Sequence, residues 1–174
     1  MRYFLDTEFM EDGKTIDLIS IGIVAEDGRE FYAETADVDL SVANDWVQAN
    51  VLPQLWYRRR RGEHAEFNHD GGVGGWWARW KIREEILRFI GDDKPEFWGH
   101  YADYDWVVFC WLFGKMIDLP KGWPMYCRDI KQFCDYIGNP LLPAQVKGEH
   151  HALADARWNK LAFDFLLKRS DIGE

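Results

Sequence analysis

The sequence predicts an α/β fold built on a mixed sheet of about five strands. Two patterns carry this prediction: three strand-like segments follow one another at the N-terminus, and helical and strand-like segments then alternate to the end of the chain. The chain has 174 residues, of which 47% are hydrophobic. It is therefore long enough and apolar enough to bury one core, and we expect a single domain over residues 1–174.

The first three strands are expected at residues 2–9, 16–26 and 30–34. The first segment is rich in Tyr, Phe and Leu and the second in Ile and Val, which suit a pleated, half-buried surface. Asp27 and Gly28 separate the second strand from the third, and an Asp-Gly pair favours the positive φ of a tight turn. The N-terminal part therefore predicts an antiparallel meander.

The remaining segments are assigned by apolar spacing and by Gly and Pro as stops. Helices are expected at 41–52, 77–90, 103–114, 128–137 and 152–168, short strands at 96–101 and 125–127, and loops at 57–75 and 138–148. The first of these loops contains four consecutive arginines and a glycine cluster.

The charge of the chain limits how it could hold nucleic acid. The net charge is −9, whereas proteins that bind nucleic acid without reading sequence usually present a basic face. A nucleic acid would have to be held locally, by cations at an acidic site or by a small basic patch. The ten Trp residues suit a core, and a surplus of large aromatic side chains also suits base stacking.

The cysteines and the N-terminus indicate a cytoplasmic protein. The number of cysteines is odd, and no two of them form a C-x-x-C pair: they are Cys110, Cys127 and Cys134. Neither a disulfide framework nor a cysteine zinc site is therefore expected. The N-terminus is charged from its second residue and resembles no signal peptide. The longest apolar run, 106–114, is too short for a membrane span.

A pair of carboxylates on the first strand is the first candidate site. Side chains alternate along a strand, so Asp6 and Glu8 share one face with Phe4. Two adjacent carboxylates repel each other, and burying them is costly without compensation. A divalent cation would resolve both problems. On this pattern alone, a solvated strand end remains the better interpretation.

Two further acidic positions follow later in the chain. Asp103 and Asp105 come directly after a predicted strand. Capping of the next helix explains one of the two, and it is the better interpretation for Asp103. His150 precedes the last helix and Asp155 lies near its start. A histidine beside a carboxylate suits a general base, although an acidic residue at a helix N-terminus is also explained by the helix dipole.

Taken together, the three positions resemble the motifs of the DEDDh 3′→5′ exonucleases. The first motif matches as Asp6-Thr7-Glu8, the second resembles residues 100–105, and the third matches residues 150–156. Tyr101 departs from the family, which usually has Asn there, and this puts the fine positioning of substrate in question. Residues 6–30 also resemble the opening of a narrower branch, the poly(A)-specific exoribonucleases of the RNase AS type.

The resemblance implies a role for each acidic residue. Two Mg²⁺ or Mn²⁺ ions would be bridged by Asp6, with Glu8 and Asp155 on the side of the attacking water. Asp105 would act mainly through water or the outer coordination shell of the second ion, and His150 would take the proton of the attacking water. A family of this kind also implies an RNase H-like fold with helices on both faces of the sheet, and a homodimer.

The implied activity is exoribonuclease cleavage of single-stranded RNA to nucleoside 5′-monophosphates, with a possible preference for adenylate-rich 3′ ends. Thr7, within the first motif, and Phe9, directly after it, are expected to contact the substrate. Two alternatives stay open: a single-stranded DNA exonuclease, because nothing in the motifs separates ribose from deoxyribose, and a catalytically inactive RNA-binding module on the same fold.

The predicted 57–75 loop looks like an insertion relative to the RNase AS-type branch, and it carries two further candidates. Its four consecutive arginines are Arg58, Arg59, Arg60 and Arg61. They could bind phosphate or form an ordinary solvated surface, and the two interpretations are evenly balanced. His64 and His69 have a spacing that zinc could use, but a polar loop with incidental histidines is the better interpretation.

Overall fold

The computed structural model describes residues 1–56 and 72–170. Its strands and helices have the following bounds, in chain order: β1 Arg2–Glu11, β2 Ile16–Ala25, β3 Glu30–Thr35, α1 Asp45–Asn50, β4 Gly72–Trp77, α2 Arg79–Ile90, β5 Glu96–Gly99, α3 Asp103–Phe113, β6 Arg128–Asp129, α4 Ile130–Tyr136 and α5 Ala152–Ser170. The described strands form one mixed sheet in the order β4-β3-β2-β1-β5-β6. The predicted α/β class is confirmed.

The N-terminal meander is present as predicted. Strand β1 pairs antiparallel with β2, and β2 pairs antiparallel with β3. The second turn is the Asp27-Gly28 pair, where Gly28 has a φ of +92° and donates its N–H to the carbonyl of Ala25 at 3.0 Å. Glycine reaches this φ without a steric penalty.

The remaining strands join the meander in parallel. Strand β5 pairs with β1 from Arg2 to Phe4, β6 pairs with β5, and β4 pairs with β3. Because β1 continues to Glu11, its residues 5–11 extend past the part that pairs with β5. Asp6 and Glu8 lie in this extension.

Helices cover both faces of the sheet, as the resemblance implied. On one face, Tyr3 and Leu5 of β1 pack with residues of α2 and α3 such as Ile82 and Phe109. On the other face, Phe4 packs with residues of α4 and α5, including Phe163, Ile130, Ala156 and Leu166. The strict alternation along β1 therefore determines that Asp6 and Glu8 face α5.

Strand β4 was missed by the sequence prediction, which placed residues 72–75 in a loop and began a helix at 77. Glycines in this segment suggested turns, but here they allow close packing. A Cβ on Gly75 would lie 2.1 Å from the ring of Trp77, so that ring lies over the glycine backbone. The helix begins two residues later than predicted, at Arg79.

Other boundaries also differ from the prediction. The strand expected at 125–127 is β6, Arg128–Asp129, and Asp129 then caps α4, so that helix begins at Ile130. The helix expected at 41–52 is shorter because Asn44 caps it from inside the segment, and 3₁₀ turns flank it. Asp103 is not a cap: it is the first residue of α3, after Ala102.

In the described part of the chain, no helix combines the length and the apolar character needed to cross a membrane.

Candidate active site

Three carboxylates from two elements meet at one end of the sheet. Asp6 and Glu8 come from β1 and Asp155 comes from the first turn of α5. One oxygen atom from each lies within 4.8 Å of the others. Residues separated by almost the whole chain are therefore close enough to share an ion.

A glycine allows α5 to come this close. Gly22 of β2 is paired directly with Asp6, and the first turn of α5 lies on it. A Cβ built on Gly22 would be 2.3 Å from the carbonyl oxygen of Ala152. The absence of a side chain at this position therefore allows the Asp155 carboxylate to approach β1.

We expect Gly22→Ala to displace the start of α5 and to lose most activity. The added methyl meets backbone atoms, which cannot rotate away, so the change should also cost about 1–3 kcal/mol of stability. Thermal unfolding and activity per folded molecule measure the two effects. Gly28→Ala is the control: it strains a turn of positive φ with no atom within 4 Å of the new Cβ, so it should lower stability and keep activity. Equal activity in the two variants would contradict this role of Gly22.

Asn159 fixes the same helix one turn further on. Its side chain is 1% exposed, and its Nδ2 donates to the carbonyl oxygen of Leu5 at 2.9 Å. This bond joins α5 to the strand residue immediately before Asp6. Asn159 is therefore a positioning residue that the sequence analysis did not select.

The fourth carboxylate, Asp105, reaches β1 from the other face. Its Oδ1 accepts hydrogen bonds from the backbone N–H and from the hydroxyl of Thr7, both at 2.7 Å. Thr7 thus holds Asp105 against the strand between Asp6 and Glu8. The register of β1 against β2 also shifts between Glu8 and Phe9, a β-bulge of the kind that often re-aims side chains beside active sites.

The acidic side chains raise one another's pKa values. Burial, followed by the neighbouring carboxylates, raises the pKa of Asp6 well above its usual range. Burial raises the pKa of Glu8 to about 8, and the charges of Asp155 and Asp105 add to the rise. Burial also raises the pKa of Asp105 to about 6, although the hydrogen bonds from Thr7 oppose the shift.

Asp155 has partial compensation from a loop residue. Burial raises its pKa, but a hydrogen bond from Gln145 and the charge of His150 oppose the rise. The Nε2 of Gln145 donates to Oδ1 of Asp155 at 2.6 Å. Gln145 lies in the loop before α5, where no sequence pattern marks it, and it was missed by the sequence analysis.

The donor set fits divalent cations. Carboxylate oxygens are hard ligands, which Mg²⁺ and Mn²⁺ prefer, and the raised pKa values show that a positive charge would be favourable here. The hydroxyl of Ser20, paired across from Glu8, is buried and has no hydrogen-bond partner among the described residues. Asp6, Glu8 and Asp155 could hold the ions directly, with Asp105 beside them.

The two adjacent histidines differ sharply in environment. His150 is partly exposed, lines the cavity that contains Asp6 and Asp155, and adopts a φ of +65°. His151 is 5% exposed, its ring lies against Tyr32 and Trp56 at 4.5 and 4.2 Å, and burial lowers its pKa to about 4. Of these two histidines, His150 is the one placed to exchange a proton with a molecule in the cavity.

The cavity beside the cluster has a volume of about 720 Å³. It is lined by Asp6, by the turn after β5, by parts of α4 and α5, and by the loop at 139–145. Phe9 lies outside this lining and contacts Tyr104 edge-to-face, with ring centroids 5.8 Å apart. The arginines 58–61 and the histidines 64 and 69 lie outside the described residues.

The sheet order and the helices on both faces are consistent with an RNase H-like fold. Within that fold class, residues 1–167 match the family described as the 3′-5′ exoribonuclease Rv2179c-like domain. The chain belongs to this family of exoribonuclease enzymes.

Two relatives from Mycobacterium tuberculosis show the same similarity. These are the 3′-5′ exoribonuclease Rv2179c of strain H37Rv and the 3′-5′ exoribonuclease MT2234.1 of strain CDC 1551. Each is 40% identical over 176 aligned positions, which cover 99% of this chain and 97% of the relative. The similarity therefore spans nearly the full length of this chain and of each relative.

Proposed function

We propose that this protein is a 3′→5′ exoribonuclease that uses two divalent cations to hydrolyse single-stranded RNA to nucleoside 5′-monophosphates. The observation that carries the proposal is the convergence of Asp6, Glu8 and Asp155 within 4.8 Å. Membership of an exoribonuclease family supports the reaction, and the narrower DEDDh and RNase AS resemblance supports the residue roles. Mg²⁺ and Mn²⁺ are the cations that suit these ligands.

The carboxylates would hold the divalent cations beside the phosphate that is cleaved. Two divalent cations held by these side chains would stabilise charge on the attacking and leaving oxygens. Asp6 is central because it interacts with all three other carboxylates, which suits a ligand shared by both ions. Glu8 and Asp155 would hold the cation that activates the attacking water, and Asp105, held by Thr7, would act on the second cation mainly through water.

His150 acts on the water. Its position at the edge of the cavity allows the ring to take a proton from the water as the water's oxygen attacks phosphorus. The bond from phosphorus to the 3′ oxygen of the preceding nucleotide breaks, and that oxygen takes a proton from solvent. The products are a nucleoside 5′-monophosphate and an RNA shortened by one nucleotide.

The acidic composition agrees with local binding of RNA. A chain with a net charge of −9 repels polyanions over most of its surface, so bound cations at the cluster would supply the attraction. We propose the arginines 58–61 and the side chain of Phe9 as further contacts to the strand. We also propose a homodimer in the cytoplasm, for which sedimentation velocity tests the subunit number.

A digestion panel tests the proposed activity. We expect 5′-labelled RNA to shorten stepwise from its 3′ end with Mg²⁺ or Mn²⁺ present, and to stay intact with EDTA. Labelled poly(A), mixed-sequence RNA and single-stranded DNA of equal length separate the substrate alternatives, with adenylate ends degraded fastest. Preferential digestion of DNA would show a DNA exonuclease, and binding without digestion would show an inactive RNA-binding module.

A further inference from the structure

Tyr101 has an unfavourable backbone conformation beside the site. Its φ is +55°, in the left-handed region that costs residues with a Cβ free energy and that Gly or Asn occupies most readily. Strained residues of this kind persist where the surrounding structure imposes the conformation, and they concentrate at functional sites. A tyrosine at this position therefore needs an explanation.

The surrounding turn imposes this conformation. The carboxylate of Asp129 accepts the N–H of Ala102 at 2.9 Å and also caps α4 through the N–H of Gln132 at 3.1 Å. On the other side, a Cβ on Gly99 would lie 2.6 Å from the Cβ of Ala102, so the turn is closely packed. The backbone of Tyr101 is fixed from both ends, and only its side chain remains adjustable.

The ring of Tyr101 lies at the edge of the catalytic cavity. It lines the same cavity as Asp6 and Asp155, and the residue is 65% exposed. Its ring contacts that of His100, with centroids 4.5 Å apart, and the His100 ring contacts that of Trp158, with centroids 5.0 Å apart. An exposed aromatic ring thus packs against two further rings at the edge of the cavity.

We propose that Tyr101 stacks on a nucleobase of the bound RNA and holds the strand in the cavity next to the carboxylate cluster. The inference rests on the proposed function, since it assigns a substrate contact to that site. Aromatic rings bind bases of any sequence through their faces, and the cavity of about 720 Å³ has room for a nucleotide. The strain is retained because asparagine, the better backbone choice, has no ring.

Replacing Tyr101 separates the backbone strain from the stacking. We expect Tyr101→Asn to raise the melting temperature by about 2–4 °C, because asparagine accepts the left-handed conformation. The same variant should raise KM for RNA roughly five- to tenfold, with kcat within about twofold of the parent value. Tyr101→Phe keeps the ring and should keep KM. Tyr136→Asn is the control, because Tyr136 is 89% exposed and lies outside the cavity lining.

An abasic substrate tests the partner of the ring. If Tyr101 stacks on a base, removing that base from the RNA raises KM, and so does removing the ring. Because both changes abolish the same contact, the two increases in KM should not add. An abasic scan through the last four nucleotides should find one position at which wild type and Tyr101→Asn become equal. Additive effects at every position, or an unchanged KM in Tyr101→Asn, overturn the inference. If the wild-type protein degrades no RNA at all, the proposed function has failed instead.

Discussion

Glu8→Gln should reduce kcat/KM by at least about a thousandfold and should abolish the rise in melting temperature that divalent cations produce. Glutamine has the shape of glutamate but lacks the charge, so one ligand of the acidic cluster is lost. Because the groups of such a cluster act as a unit, the loss should far exceed one Coulomb interaction. Steady-state kinetics and thermal unfolding with and without Mn²⁺ measure both effects.

The same substitution should stabilise the metal-free protein at alkaline pH. Burial raises the pKa of Glu8 from 4.5 to about 8, so the folded state binds the proton more tightly than the unfolded state does. Stability is therefore lost as pH rises from about 4.5 to about 8, by on the order of 5 kcal/mol for this group. Glutamine does not titrate, so the variant should be the more stable protein in EDTA at pH 9, and the two should be similar near pH 4.5.

Glu84→Gln is the matched control. Glu84 lies on α2 with a side chain 47% exposed, remote from the cluster, so its loss should change neither activity nor the response to cations. If Glu8→Gln retained activity within tenfold of wild type, the assignment of Glu8 to the cation site would be wrong. If its metal-free form were the less stable protein at pH 9, the raised pKa of Glu8 would be contradicted instead.

His150→Ala should reduce kcat roughly 10²- to 10⁴-fold, the usual contribution of a general base. Because His150 is assigned to proton transfer and not to coordination, cation affinity and melting temperature should stay close to wild type. Calorimetric titration with Mn²⁺ separates the two roles. Loss of cation binding together with activity would make His150 a ligand and contradict its role as base.

The neighbouring histidine is the control, but it needs a conservative change. His151 is 5% exposed and packed between aromatic rings, so His151→Ala would leave a cavity and destabilise the protein. His151→Phe preserves the aromatic packing and should keep kcat within a few-fold. Equal losses in His150→Ala and His151→Phe would show that the base is a different group.

The sequence was sufficient to predict the α/β class, the N-terminal meander and the candidate acidic residues. Alternation along β1 places Asp6 and Glu8 on one face, and the late Asp155 follows a recognisable motif. Such features depend on short-range periodicity and on residue order, which a sequence shows directly. The convergence within 4.8 Å needed the structure, because it depends on how closely α5 approaches the sheet.

The features that were missed depend on contacts between distant segments. Gly22 appears in the sequence as an ordinary strand residue, and only the position of Ala152 above it shows why a side chain is excluded. Gln145 lies in a loop without a pattern, and the glycines of β4 suggested a turn. The strain at Tyr101 was also invisible, although its departure from the family motif marked the position.

Crystals soaked in Mn²⁺ provide the most direct test of the two-cation site, since anomalous scattering locates each ion independently of the refined protein atoms. We expect two peaks about 3.5–4 Å apart, with Asp6 bridging them, Glu8 and Asp155 on one ion, and Asp105 beside the other. A single peak, or peaks that contact none of these carboxylates, in crystals of protein active with Mn²⁺ would contradict the two-cation mechanism.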